Sequence, residues 1–479
     1  MHRRDFLADF GMGFTGLAMG AMLANDGVVQ AAIPNGEPHF PPRAKSIIWV
    51  FLSGGYSHIE TFDPKPALNQ YAGMTLAETP FPNPLDSPLH RERFRSVAAA
   101  EINVRDVYPK IYPMQVGYSK RGESGIEITD WWPHLSECVD WISFVRNMWT
   151  TDNDHAAENQ IHTGRHRLDE TQPSIGAWAH YGLGSINENL PRFVVLGGPT
   201  RSDTRDSIDS YYLGPEHAGV PLKLDPKNPL AFGTRQGSQT AEQQFNEFAL
   251  VEEFNQIAAE ANPRDQQIRA RIKSYELAYR MQTSVPNVIN LANEPAEVNQ
   301  LYGIDDSATK VAGQRLLAAR RLVERGVRFV QVFPSPYGSW DSHKKLKENH
   351  GRMCKSIDKP IAGLLKDLQR RGLMDDVTVV FCTEFGRTPG LEERAGGTTG
   401  RDHHPNGFTV WLAGAGVRRG HVHGATDELG YHALGDGHYV TDLHATVLHL
   451  LGLDNTKLEI PGRKRLDIDR GKVITDILV

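Results

Sequence analysis

Apolar residues along this chain recur in short uninterrupted runs separated by amphipathic stretches. Lys45-Ser-Ile-Ile-Trp-Val-Phe-Leu52 ends at Ser53-Gly54-Gly55 and reads as a strand buried on both faces that stops at a loop. Phe193 to Leu196, Val327 to Phe333, Val377 to Phe381 and Thr409 to Leu412 repeat the pattern. Between them lie segments of helical period, Gly313 to Gly326 and Ile361 to Arg371, the second closed by Gly372. Strands alternating with helices of this length predict an α/β fold with a mostly parallel central sheet flanked by helices. The stretch from about 240 to 300 breaks the rhythm: it is rich in Glu, Gln, Ala and Arg and carries no strand signal. It reads as a helical excursion from the sheet and a candidate cap over a site. No Pro/Gly/Ser linker isolates it, so residues 33–479 are taken as one domain.

Residues 1–32 stand outside that domain. Arg3-Arg4-Asp5-Phe6-Leu7 precedes a Gly- and Ala-rich apolar stretch from Gly11 to Ala24, and Val29-Gln30-Ala31 supplies small residues for cleavage. This reads as a twin-arginine signal peptide, which predicts a periplasmic or otherwise extracytoplasmic protein. No other run is long and apolar enough for a stable membrane span. The formal charge of −6 offers no basic field, which argues against nucleic acid as a partner. Three cysteines without a C-x-x-C pair argue against a disulfide framework and a thiolate zinc site. Cys382 sits inside an apolar run and reads as a small buried hydrophobe.

Candidate chemistry gathers at the ends of the predicted strands, where open parallel sheets place their functional groups. Trp340-Asp341-Ser342-His343 follows one strand and Thr383-Glu384-Phe385-Gly386-Arg387 another, and Gly400-Arg401-Asp402-His403-His404-Pro405 precedes a third. Anionic oxygens together with imidazoles suit a divalent ion, so Asp341, His343, Glu384, His403 and His404 are candidate ligands, for zinc or calcium. The alternative is a hydrogen-bonded Asp–His and Glu–Arg387 network without metal. Ser57, His58 and Asp63, after the first strand, are candidate substrate-binding residues. Asp154 and His155 precede a helix opening at Ala156-Ala157, whose amides would suit an anionic ester. The alternative there is a plain N-cap at Asp154. His155, Asp154, Arg387 and Arg401 are the candidate catalytic residues, the basic ones offsetting developing charge.

The segments Trp49 to Lys65, Thr383 to Pro389 and Gly400 to Pro405 resemble a widespread bacterial family of unknown function. That family is often carried behind a twin-arginine signal and belongs to the alkaline phosphatase/sulfatase superfamily. The resemblance covers nearly the whole mature chain and implies that superfamily's fold. It further implies that Asp341 and His343 stand for a strand-end Asp-x-x-x-His ligand pair, at shorter spacing, and Glu384 for a later carboxylate ligand. A late metal histidine falls at His403 or His404. Asp442-Leu-His-Ala-Thr446 resembles a helix-opening stretch of sulfatases and is expected to pack. The chain also departs from the superfamily. Ser53-Gly54 stand where the first strand usually ends in aspartate, and no Ser, Thr or Cys lies in register near Asp154-His155 to act as nucleophile.

Two functions follow. One is a metal-dependent, sulfatase-like hydrolase of phosphate or sulfate esters, acting on a small ester or a polysaccharide. The other is a non-catalytic exported binding protein that keeps the fold and an anion or sugar cleft.

Overall fold

The structure is a computed structural model. It describes residues 34, 36–89, 110–187, 189–198, 206–230, 241–261, 280–281, 284–392, 399–460, 462–463, 465–466 and 470–479. The signal-peptide expectation for residues 1–32 lies outside the described residues.

Thirteen strands and eight α-helices are named here, in chain order. The strands are β1 (Ser46–Phe51), β2 (Tyr118–Arg121), β3 (Ile126–Thr129), β4 (Ile142–Trp149), β5 (Phe193–Leu196), β6 (Val220–Leu222) and β7 (Phe329–Val332). They continue with β8 (Val377–Cys382), β9 (Gly386–Arg387), β10 (His403–His404), β11 (Phe408–Gly414), β12 (His421–His423) and β13 (His438–Tyr439). The helices are α1 (Pro66–Gln70), α2 (Ala157–Thr163), α3 (Ile175–Leu183), α4 (Ala241–Ala261), α5 (Ala296–Leu301), α6 (Lys310–Glu324), α7 (Leu346–Arg370) and α8 (Val440–Leu450).

A nine-stranded sheet runs in the order β12-β4-β11-β8-β1-β7-β5-β6, with β13 also on β4. β1 is central, parallel to β8 from Ser46↔Val377 to Phe51↔Cys382 and to β7 from Ile47↔Phe329 to Val50↔Val332. Its side chains alternate between two cores. Ile48, Val50 and Leu52 join α6 and α7 residues such as Leu316, Leu322, Ile361 and Leu364. Ile47, Trp49 and Phe51 join Ile161 of α2, Ile175 of α3 and Leu443 and Val447 of α8. Burial on both faces is why β1 reads as an unbroken apolar run.

Three features differ from the sequence-based expectation. First, β11 is antiparallel to both β8 and β4. Its N-terminal end therefore lies at the same sheet edge as the C-terminal ends of β1, β7 and β8, and this reversal is what brings His403 to them. Second, β4 carries Ser143, Arg146 and Asn147 among its apolar residues, and that mixed pattern conceals a strand internal to the sheet. Third, α7 starts at Leu346 rather than near Ile361, with Pro360 inside it. The face carrying Leu346, Met353, Ile357 and Ile361 is buried, and that packing outweighs the hydrogen bond a mid-helix proline removes.

The described part of the 240–300 excursion is helical, in α4 and α5, with no strand among its described residues. Its later part packs toward α6: Val288 and Ile289 join the first core, and Arg321 Nε donates to the Val288 carbonyl at 2.6 Å. Among the described residues the excursion supplies none of the contacts that build the site below.

Candidate functional site

The loop after β1 turns back at Gly54, whose φ is +116°. A β-carbon there would meet the backbone nitrogens of Asp341 at 2.5 Å and Trp340 at 2.7 Å. A side chain at this position would displace the loop that follows β7. Trp340 N–H instead donates to the Ser53 carbonyl at 3.0 Å, and Gly54 N–H donates to Glu384 Oε1 at 2.7 Å. The first strand end thus acts as a backbone frame for Asp341 and Glu384.

Asp341 is the centre of the cluster. Its Oδ1 accepts from Arg387 Nη2 at 2.7 Å and lies 3.0 Å from His343 Nε2 and 3.2 Å from His403 Nε2. Its Oδ2 lies 3.2 Å from His155 Nε2, and His155 Nδ1 lies 3.2 Å from Glu384 Oε1. His343 Nδ1 rests on Glu392, and His403 Nδ1 rests on the Asn153 carbonyl at 2.7 Å. Both rings thus turn Nε2 inward, and the two Nε2 atoms are 3.0 Å apart. His155, Asp341 and His403 form one group able to hold an ion, and His343, Asp402 and His403 form a second.

The electrostatics follow from this crowding. Burial tends to raise the Asp341 pKa, but hydrogen bonds from His155, His343 and His403 and the Arg387 charge hold the carboxyl far below the usual range. Burial opposes a charge on His155, yet its bonds to Asp341 and Glu384 outweigh that and lift it to about 9. His343 is raised in the same way, its bonds to Asp341 and Glu392 overcoming burial. His403 is lowered to about 3, first by burial and then by the Arg387 charge.

The structure thus brings Asp341, His343, His403, His155 and Glu384 to one point, Glu384 through His155. The other predicted residues are used elsewhere. His404 points away, with Nε2 on the Tyr431 carbonyl, because adjacent strand residues face opposite ways. Arg387 is fully buried, and besides Asp341 it holds the Gly54, Gly55 and Arg401 carbonyls, so it anchors the frame rather than meeting a substrate. Arg401 is also fully buried, paired with Glu60 and donating to the Thr388, Pro389, Tyr112 and Pro113 carbonyls. Ser57, His58 and Asp63 are buried under the loops instead of lining a cleft. Ser57 donates to Glu60, His58 Nε2 lies 2.8 Å from the Gly430 carbonyl, and Asp63 bonds Thr426 and Lys65.

Asp154 turns outward to Arg167 at 3.1 Å. The amides of Ala157, Glu158 and Asn159 already donate to the Asp154, His155 and Ala156 carbonyls at 2.8–3.0 Å, so these three are engaged within the turn. Asp402 and Glu392 were not singled out from the sequence. Asp402 lies in the Gly400–Pro405 motif, so its neighbours marked it. Glu392 lies in a loop without periodicity and had no local signal.

One family matches residues 44–478, and its description is "Protein of unknown function (DUF1501)". The chain belongs to this family. No curated protein matches it. Solved structures similar to it include the lipoteichoic acid synthase LtaP from Listeria monocytogenes, at 9% identity and TM-score 0.37, covering 92% of this chain and 79% of that one. The PsFucS1 sulfatase from Pseudoalteromonas sp. is similar at 12% identity and TM-score 0.29, covering 71% and 70%. A TAB5 alkaline phosphatase variant with magnesium bound is similar at 9% identity and TM-score 0.33, covering 86% and 99%. Among the described residues no helix is long and apolar enough to cross a membrane.

Proposed function

We propose that the protein is a metal-dependent hydrolase of phosphate or sulfate esters, exported by the twin-arginine route and working outside the cytoplasm on a small ester or a polysaccharide. The observation that carries this is the convergence of Asp341, His343 and His403 with their ligand atoms about 3 Å apart. The donor set fits a borderline divalent ion: two imidazoles have Nδ1 committed to oxygen acceptors, so two Nε2 atoms and a carboxylate face one space. Charge supports the same reading. Four carboxyl groups, from Asp341, Glu384, Glu392 and Asp402, outnumber the Arg387 guanidinium and the His155 and His343 imidazoles whose pKa values they raise, and a divalent cation offsets the remaining negative charge.

Asp341, His343 and His403, with Asp402 beside them, would hold the ion, which when bound polarises an ester oxygen and acidifies water. The chain's own groups do the rest. Arg387 and the Gly54 turn hold Asp341 in place. Glu384 holds His155 by Nδ1, leaving Nε2 as the atom that keeps or delivers a proton at the leaving oxygen. Ser53 donates to Glu158, Ser57 to Glu60, and Ser342 bonds His350, so the hydroxyls beside the cluster are engaged and water is the nucleophile.

The same engaged hydroxyls also favour the second reading, a binding protein without turnover. Asp341→Asn and His155→Gln separate the two. The first should lose bound metal and all ester hydrolysis, the second should keep metal and lose turnover by about a hundredfold or more. Wild-type protein that binds sulfate or phosphate esters with metal present, yet cleaves none of a broad panel, would leave the binding reading.

A further inference from the structure

Three pairs of imidazoles meet nitrogen to nitrogen among the described residues, and the outer nitrogen of each ring distinguishes them. His180 and His217 are 2.8 Å apart through Nδ1, and Arg192 lies on His180 Nε2 at 3.0 Å. A guanidinium only donates, so His180 Nε2 accepts, its Nδ1 carries the proton, and an ordinary hydrogen bond joins the rings. His423 and His438 differ. Their Nε2 atoms are 2.8 Å apart, while His438 Nδ1 is 3.0 Å from Asp442 Oδ2 and His423 Nδ1 is 3.4 Å from Asp476 Oδ2. His438 Nδ1 donates to Asp442, so its neutral ring turns a bare Nε2 to His423, and the Asp476 carboxylate beside His423 Nδ1 draws that ring's proton to the same outer side. Two lone pairs facing each other at that distance repel, and a bound cation relieves that repulsion. The third pair, His343 and His403, repeats this arrangement in the site already described.

We infer that His423 and His438 form a second, separate site for a borderline divalent ion such as zinc. Asp442 and Asp476 orient the two rings, and solvent completes the coordination. Carboxylate-held imidazoles are how metal-binding histidines are fixed in tautomer and direction. The two side chains keep 17% and 18% of their surface exposed, so an ion can reach them.

The fold gives the site a role. β12 and β13 lie along the same side of β4, with His423 opposite Val145 and His438 opposite Met148. The segment 424–437 leaves the sheet after one histidine and returns at the other, so the ion clasps its base. That segment supports the elements under the first site: Gly430 and Tyr431 carbonyls hold His58 and His404, and Thr426 holds Asp63. Closing a loop at its base in the folded state stabilises that state by the free energy of binding.

The test uses untagged, metal-free chain titrated with zinc by equilibrium dialysis, with folding checked by circular dichroism. Asp341→Asn protein should bind one equivalent, and adding His423→Gln or His438→Gln should weaken that binding at least tenfold. Zinc should also slow amide hydrogen exchange across 424–437 in the Asp341→Asn protein. In the otherwise wild-type chain, His438→Gln should lower zinc content by one equivalent whatever the Asp341 site holds. Failure of the first site alone would leave this difference intact. An Asp341→Asn chain that binds no zinc, or zinc content unchanged by His423→Gln and His438→Gln, overturns the inference.

Discussion

Replacing Arg401 tests whether it serves the fold or the substrate. Arg401 and Glu60 are both fully buried, with Nη2 to Oε1 at 2.7 Å and Nε to both carboxyl oxygens at 3.1 Å. The same guanidinium satisfies the Thr388 and Pro389 carbonyls at 3.2 and 2.8 Å and those of Tyr112 and Pro113 at 3.1 and 3.2 Å. Arg401→Leu would leave a carboxylate in the interior with only the Ser57 hydroxyl, and breaking one side of such a pair costs about 3–5 kcal/mol. For a chain of this size that is a fall of roughly 3–5 °C in melting temperature. Arg401→Lys keeps the charge but loses the planar fork, so its loss should be intermediate. Arg401→Leu combined with Glu60→Leu should recover much of the deficit, because neither charge is then buried alone. The assay is a set of thermal and urea melts at pH 7 for the single and double variants, with metal content measured on the same samples. An Arg401→Leu protein that melts with the wild type while losing ester affinity would refute this reasoning and return Arg401 to the substrate.

Two further outcomes follow from packing and from burial. Gly54→Ala should lower both stability and metal content, because its β-carbon would sit 2.5 Å from the Asp341 nitrogen at a backbone angle of +116° that L side chains rarely adopt; a variant with unchanged melting and metal content would show that the loop yields freely. Burial lowers His162 to about 3, His444 to about 4 and His180 to about 2. Unfolded histidines take up protons near pH ~6.5, so below that the unfolded state binds more protons and stability falls. Each of the three should remove about 2 kcal/mol between pH 7 and pH 5; a urea midpoint that stays flat over that interval would contradict it.

The apolar runs by themselves determined the α/β layering, because a strand buried on both faces must be apolar throughout and a helix between two such strands must bury one stripe. They also marked which strand ends carry carboxylates and imidazoles, and so Asp341, His343, Glu384 and His403 were legible before any coordinates. His155 was legible too, as part of the cluster after Trp149. The direction of β11 was not, since a short apolar run reads the same both ways. That reversal alone sets the start of β11 beside the ends of β7 and β8. Nor could local pattern separate His403 from His404, because adjacent residues of a strand face opposite sides and only the partners, Asn153 and Tyr431, show which side is the site. Arg387 and Arg401 looked like substrate cations because charge is rarely buried. The tertiary structure decided otherwise by surrounding each guanidinium with carbonyls and a carboxylate from segments distant in sequence. Glu392 and the His423–His438 pair were hidden for the same reason, as their meaning lies in partners that only the folded chain brings within reach.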